Sequence, residues 1–93
     1  MIQSFASGET EAVFAGRRSR RLPADIQPAA RRKLMYIDTA VELNDLRVPP
    51  GNRLEALQGD RAWQHSIRVN DPWRICFSWG PNGPADLEIV DYH

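Results

Sequence analysis

The stretch that decides the fold is Trp63-Gln64-His65-Ser66-Ile67-Arg68-Val69, a break at Asn70-Asp71-Pro72, then Trp73-Arg74-Ile75-Cys76-Phe77-Ser78-Trp79. In the first run Trp63, His65, Ile67 and Val69 alternate with Gln64, Ser66 and Arg68. In the second, Trp73, Ile75, Phe77 and Trp79 alternate with Arg74, Cys76 and Ser78. A period of two means a strand with one face turned to a core and the other polar. Asn-Asp-Pro between the runs is turn chemistry, so the two strands form an antiparallel hairpin.

Working outward, Gly80-Pro81-Asn82-Gly83-Pro84 is a second turn, and residues 87–91 read as the last strand of a meander. In its parity Leu87, Ile89, Asp91 and His93 share one face, with Glu88, Val90 and Tyr92 on the other. If Leu87 and Ile89 face the core, Asp91 and His93 emerge where the core ends, and a bend at the terminus brings Tyr92 round as well. Upstream the period changes. Residues 1–5 alternate as a short opening strand, and residues 9–15 form a brief helix with Val13 and Phe14 inward and Gly16 as its stop. Ala30, Leu34, Ile37 and Val41 recur at helical spacing, with Arg31, Arg32 and Asp38 on other faces. This helix begins either at a cap on Asp25 or at Pro23 with a distortion at Pro28. A short turn through Leu43 and Leu46 follows, halted by Pro49-Pro50-Gly51. Helices gathered in the first half and strands in the second make an α+β architecture.

With 93 residues, 42% hydrophobic and 26% charged, the chain has the composition of one globular domain over residues 1–93. One cysteine cannot make an intrachain disulfide, and no apolar run approaches the roughly 20 residues needed to cross a bilayer. With no basic and apolar leader at the start, a cytoplasmic location and no membrane partner are expected. Twelve basic and twelve acidic residues cancel, but unevenly: residues 17–33 carry seven basic side chains against Asp25 alone. Eleven of the twelve cations are arginine, and Lys33 is the only lysine. This run is either a solvated helix face or a basic flank that meets RNA or an acidic protein.

Two histidines and one cysteine without ligand spacing give no metal site, and Gly80-Pro81-Asn82-Gly83, with no helix after it, is no phosphate loop. No cofactor motif is present. Phosphate chemistry carried by side chains is what remains. Cleaving RNA needs a base for the 2′-hydroxyl, a cation for the developing phosphorane charge and an acid for the leaving 5′-oxygen. Arg74 in mid-strand and Asp91, Tyr92 and His93 at the C-terminus are the candidates. Asp91 and the terminal carboxylate both favour protonated His93, which suits an imidazolium acid; a terminal histidine is also commonly frayed and inert.

The segments Gly59-Asp60-Arg61, residues 66–77 with the pattern W-R-I-x-F, and the closing Asp91-Tyr92-His93 resemble the HigB toxins of the RelE/ParE superfamily. So do Met1-Ile2-Gln3-Ser4-Phe5 and the helical stretch from Arg32-Lys33-Leu34 to Ile37-Asp38-Thr39-Ala40. The resemblance runs over essentially the whole chain in order. It implies a compact RelE-like α+β domain with two to three N-terminal helices on an antiparallel sheet. It also implies a toxin that cleaves mRNA in the ribosomal A site without metal or cofactor. Its implied partners are the ribosome, mRNA and a HigA-type helix-turn-helix antitoxin, with DNA reached only through the antitoxin complex. Carried over by residue, Arg74 contacts the scissile phosphate, Asp91 and His93 are the acid–base pair, and Tyr92 stacks on or positions the substrate. Glu55 and Gln58 stand where well-studied members have histidine and lysine, with Arg61 and Arg68 as compensating RNA contacts. The alternative implied by Glu55 and Gln58 is an attenuated or non-cleaving toxin-fold protein that binds its antitoxin or the ribosome. Antitoxin contact is expected on residues 1–50, which present the helices and the arginine-rich turn.

Overall fold

The computed structural model describes residues 1–92. Two helices, α1 (Gly8–Phe14) and α2 (Gln27–Thr39), precede four strands, β1 (Glu55–Ala56), β2 (Gln64–Arg68), β3 (Trp73–Gly80) and β4 (Gly83–Asp91). The strands form one antiparallel sheet in the order β1-β2-β3-β4. The 70–72 turn sets the β2–β3 register at Ile67↔Ile75 and Arg68↔Arg74, and the Asn70 side chain closes it by accepting from Trp73 N–H. Both helices cover one face of the sheet. Val13, Ala30, Leu34 and Ile37 from the helices meet Ile67, Ile75, Phe77, Leu87 and Ile89 from the strands, all buried. The period-two and period-3.6 patterns therefore converge on one core.

Each helix has a sequence reason for its ends. Ser7 caps α1 by accepting from Thr10 N–H, and Gly16 follows the helix at φ 82°, a left-handed conformation that costs glycine little. The structure takes neither reading for the start of α2: a separate 3₁₀ turn, Ala24–Ile26, follows Pro23, and α2 itself begins at Gln27 with Pro28 in its first turn, where no backbone N–H is needed. Asp25 lies inside the 3₁₀ turn rather than capping the helix. Buried Thr10 ties α1 to the sheet, its hydroxyl accepting from Ile89 N–H at 3.0 Å.

Several expectations need correction. Residues 1–5 form no strand. They run parallel beside β4 through one bridge, Phe5↔Leu87, with Gln3 N–H donating to Pro84 and Ala6 N–H to Leu87. The segment covers the edge of the sheet without joining it as a ladder. Val41 lies beyond the end of α2 and is 89% exposed, and Trp63 precedes β2 and is 65% exposed; neither joins the core. β4 starts at Gly83 rather than at residue 87, and an extra residue with Asp86 at φ 55° takes up the register shift opposite Cys76 and Ser78. The two-residue strand β1 has no alternation long enough to be legible.

Candidate nucleic-acid site on the polar sheet face

The polar parity of the meander builds the other face. Gln64, Ser66 and Arg68 of β2 lie beside Arg74 and Cys76 of β3, and these beside Glu88 and Val90 of β4. Arg74 is at its centre and is 7% exposed. Its Nε donates to Ser66 Oγ at 2.7 Å, and its Nη2 donates to the Arg53 carbonyl at 2.6 Å and to the Ser66 carbonyl at 3.3 Å. The plane of the guanidinium is thus fixed by the protein. The Glu55 carboxylate reaches Nη2 at 3.9 Å from β1, across β2. The Tyr92 ring centroid is 5.9 Å from the Arg74 guanidinium carbon, a cation–π distance. Tyr92 needs no bend to arrive there, because its own parity puts it on the face of Glu88 and Val90, and its N–H is held by the Pro72 carbonyl.

Arg61 is the second oriented cation. One arm donates to Gln64 Oε1 at 2.8 Å and the other to Glu88 Oε1 at 3.0 Å. That bond to Glu88 raises the Arg61 pKa above its ordinary value. The Tyr92 phenol feels the whole group. Burial pushes its pKa up, Cys76 and Glu55 add to the rise, and Arg74 and Arg61 oppose it. Cys76 lies fully buried beneath this face, and desolvation pushes its thiol up as well, so it is held as a neutral thiol.

Arg74, Tyr92, Glu55 and Arg61 therefore gather on one surface. Arg68 is beside Arg74 in register but is engaged by Asp71, whose carboxyl it holds below the usual range. Gln58 is exposed at the start of the 59–61 turn. Asp91 is opposite Trp73, one position out of phase with Arg74. His93 lies outside the described residues. Among the described residues, no group of three or more His, Cys, Asp and Glu side chains is placed to hold a metal ion.

Residues 3–93 match the family model described as "RelE-like toxin of type II toxin-antitoxin system HigB". The chain belongs to this family. It is 46% identical over 77 residues to Toxin HigB-1 of Vibrio cholerae serotype O1, covering 83% of this chain and 80% of that protein. It is also 34% identical over 69 residues to an uncharacterized protein of Haemophilus influenzae, covering 74% and 68%. The RelE-like α+β fold expected from the resemblance is the fold observed. As a HigB toxin of a type II system, the protein has an antitoxin as its partner. No helix among the described residues is long and apolar enough to cross a membrane.

Sequence reading missed the supports of this toxin's polar face: Ser66 and the Arg53 carbonyl, which hold Arg74, and Glu88, which holds Arg61. Strand parity was the available signal for two of them. Ser66 and Glu88 fall on the same polar rows as Arg74, and a serine at a buried polar-face position must find a partner. Nothing in the sequence around Arg53 announces that its carbonyl turns toward Arg74.

Proposed function

We propose that this toxin is a ribosome-dependent endoribonuclease that cleaves mRNA in the A site. The observation that carries the reading is a pair of arginines, Arg74 and Arg61, held by internal hydrogen bonds on one sheet face beside an aromatic side chain. A preorganised guanidinium stabilises a developing phosphorane without reorganising during the reaction. In the reaction the 2′-oxygen bonds to phosphorus and gives up its proton to a base. The bond to the 5′-oxygen breaks, and that oxygen takes a proton from an acid. Asp91 and His93 keep the acid–base roles that the resemblance implies, Asp91 from the end of β4 on the parity opposite to Arg74; Tyr92 stacks on a base or orients it, and Gln58 and Arg68 flank the path of the strand. So sparse a set suits an enzyme whose substrate is positioned by the ribosome. A cytoplasmic location follows from that target. The test is primer extension on an mRNA in a purified translation system, with and without ribosomes. Discrete cuts only when ribosomes are present are expected; equal cutting of free RNA would reassign the protein as a stand-alone nuclease.

One observation favours a second reading. The Glu55 carboxylate beside Arg74 opposes an incoming phosphate, and a strong enough opposition leaves a toxin-fold protein that binds its HigA-type antitoxin or stalls ribosomes without cutting. A folded, antitoxin-binding protein that produces no cuts would establish it.

The antitoxin belongs on the helical side. Between the end of α1 and the start of α2 lies a groove of about 320 Å³, lined by Val13, Ala24 and Pro28, by buried Gln27, and by Arg17, Arg18 and Arg31. Apolar side chains and arginines lining one groove fit an acidic protein segment carrying an apolar anchor better than they fit a nucleic-acid backbone. A HigA-type antitoxin occupying it connects the toxin to DNA indirectly. Reversing Arg17, Arg18, Arg20 and Arg21 to glutamate is expected to weaken antitoxin binding at least tenfold by calorimetry, chiefly at low salt. Unchanged antitoxin and ribosome binding would mark the run as a solvated face.

A further inference from the structure

Lys33 belongs to the arginine-rich run of the sequence, yet the fold withdraws it from that surface. It is 9% exposed, and its ammonium donates to Asn52 Oδ1 at 2.6 Å. The surroundings offer a cation little else: the Tyr36 ring at 5.3 Å, with Arg32 and Arg68 close enough to repel. Desolvation, followed by those two charges, lowers the Lys33 pKa. A buried ammonium with a neutral partner is costly, and a neutral side chain of similar volume would fill the space more cheaply.

What the ammonium supplies is orientation. Asn52 is fully buried. With Oδ1 taken by Lys33, its Nδ2 donates to the Leu46 and Val48 carbonyls at 3.2 and 3.3 Å. Both amide protons and the carbonyl oxygen of the carboxamide are thereby engaged in one orientation, and each would be mismatched in the flipped one. Asn52 ends the 3₁₀ turn Pro50–Asn52, and Arg53 follows at φ 45°, ψ 59°, a left-handed conformation costly for a side chain with a Cβ. In that conformation its carbonyl accepts from Arg74 Nη2. The chain of contacts therefore runs from α2 through Lys33, Asn52 and Arg53 to the central arginine of the polar face.

We infer that Lys33 and Asn52 are positioning residues for Arg74, locking the 50–53 turn so that the Arg53 carbonyl fixes the guanidinium. The catalytic consequence rests on the reading of Arg74 as the phosphate-contacting group; the positioning does not. The experiment follows the Arg74 Nη–H signals and their hydrogen exchange by NMR in the full chain, alongside cleavage at saturating and limiting ribosome concentrations. The proteins compared are wild type, Lys33→Met, Lys33→Gln and Leu46→Val, the last loosening the same loop without cutting the link. Lys33→Met is expected to speed Arg74 Nη–H exchange at least tenfold and to lower the saturated cleavage rate about tenfold, with half-saturation unchanged. Lys33→Gln, which keeps a donor for Asn52, is expected to recover most of both, and Leu46→Val to leave both near wild type. Should Lys33→Met fail to fold, Asn52→Asp, which keeps the shape but loses the Nδ2 donors to the Leu46 and Val48 carbonyls, is expected to speed the same exchange at least tenfold, and unaltered exchange there would overturn the positioning. Unaltered Arg74 exchange in folded Lys33→Met, or equal acceleration in Leu46→Val, would reduce Lys33 to a packing residue. If wild type does not cleave, the functional reading fails while the exchange data still judge the positioning.

Discussion

Arg74→Lys is expected to reduce ribosome-dependent mRNA cleavage by about 10²–10³-fold, the usual cost of removing one preorganised donor from a transition-state site. The reason lies in the shape of the guanidinium. Nε and Nη2 are bound to Ser66 and to the Arg53 carbonyl, and this internal anchoring is what orients the charge on the polar face. A lysine ammonium keeps the charge but is a point donor on a flexible stem; it cannot satisfy both anchors and face a phosphate in a fixed plane. The loss should appear in the cleavage rate at saturating ribosomes, measured by primer extension, with antitoxin binding retained. Part of the cost is structural, since the buried Ser66 hydroxyl loses its donor, at about 1–3 kcal/mol of stability. Chemical denaturation run in parallel separates the two. A folded Arg74→Lys protein that cleaves within threefold of wild type would remove Arg74 from the chemistry and leave it as a strut between β2, β3 and the 50–53 turn.

The fold was open to sequence reading where periodicity was long, and the site only where parity and resemblance coincided. Residues 63–79 alternate cleanly enough to set two strands and the inward residues Ile67, Ile75 and Phe77. The same alternation marks Arg74 as outward-facing from the core. Failures cluster where local pattern meets tertiary choice. Val41 continues the helical spacing, but the helix ends at Thr39, with Ala40 already extended. Trp63 continues the strand spacing, but β2 begins one residue later. Residues 1–5 alternate, yet only one bridge forms, because the segment seals the edge of β4 instead of extending the sheet. Lys33 is the instructive case. Composition places it with Arg31 and Arg32, and only the folded chain shows that a buried asparagine nineteen residues away is its partner.

The charge balance of the polar face leads to the second large effect. Arg61 is committed to Glu88, Arg68 to Asp71, and Arg74 has Glu55 beside it, so each of these cations faces an acid. For Arg61 the acid orients the cation; for Arg74, already oriented by Ser66 and Arg53, it adds only competition with phosphate. The Glu55 carboxylate is half exposed and 3.9 Å away, so the ion pair itself is worth about 1 kcal/mol or less. A phosphate brought to Arg74 nevertheless meets a negative charge that stays in place. Glu55→Gln is accordingly expected to raise cleavage, and adding Gln58→Lys supplies a charge-assisted contact worth about 1.5–3 kcal/mol. Together they should increase ribosome-dependent cleavage about 10- to 150-fold. Because the second change adds a phosphate contact, the double variant should also lose activity more steeply as salt rises. The single variant carries the decisive sign. A tenfold or greater fall in Glu55→Gln would mean that the carboxylate takes the 2′-hydroxyl proton, making Glu55 the base of the reaction rather than its brake.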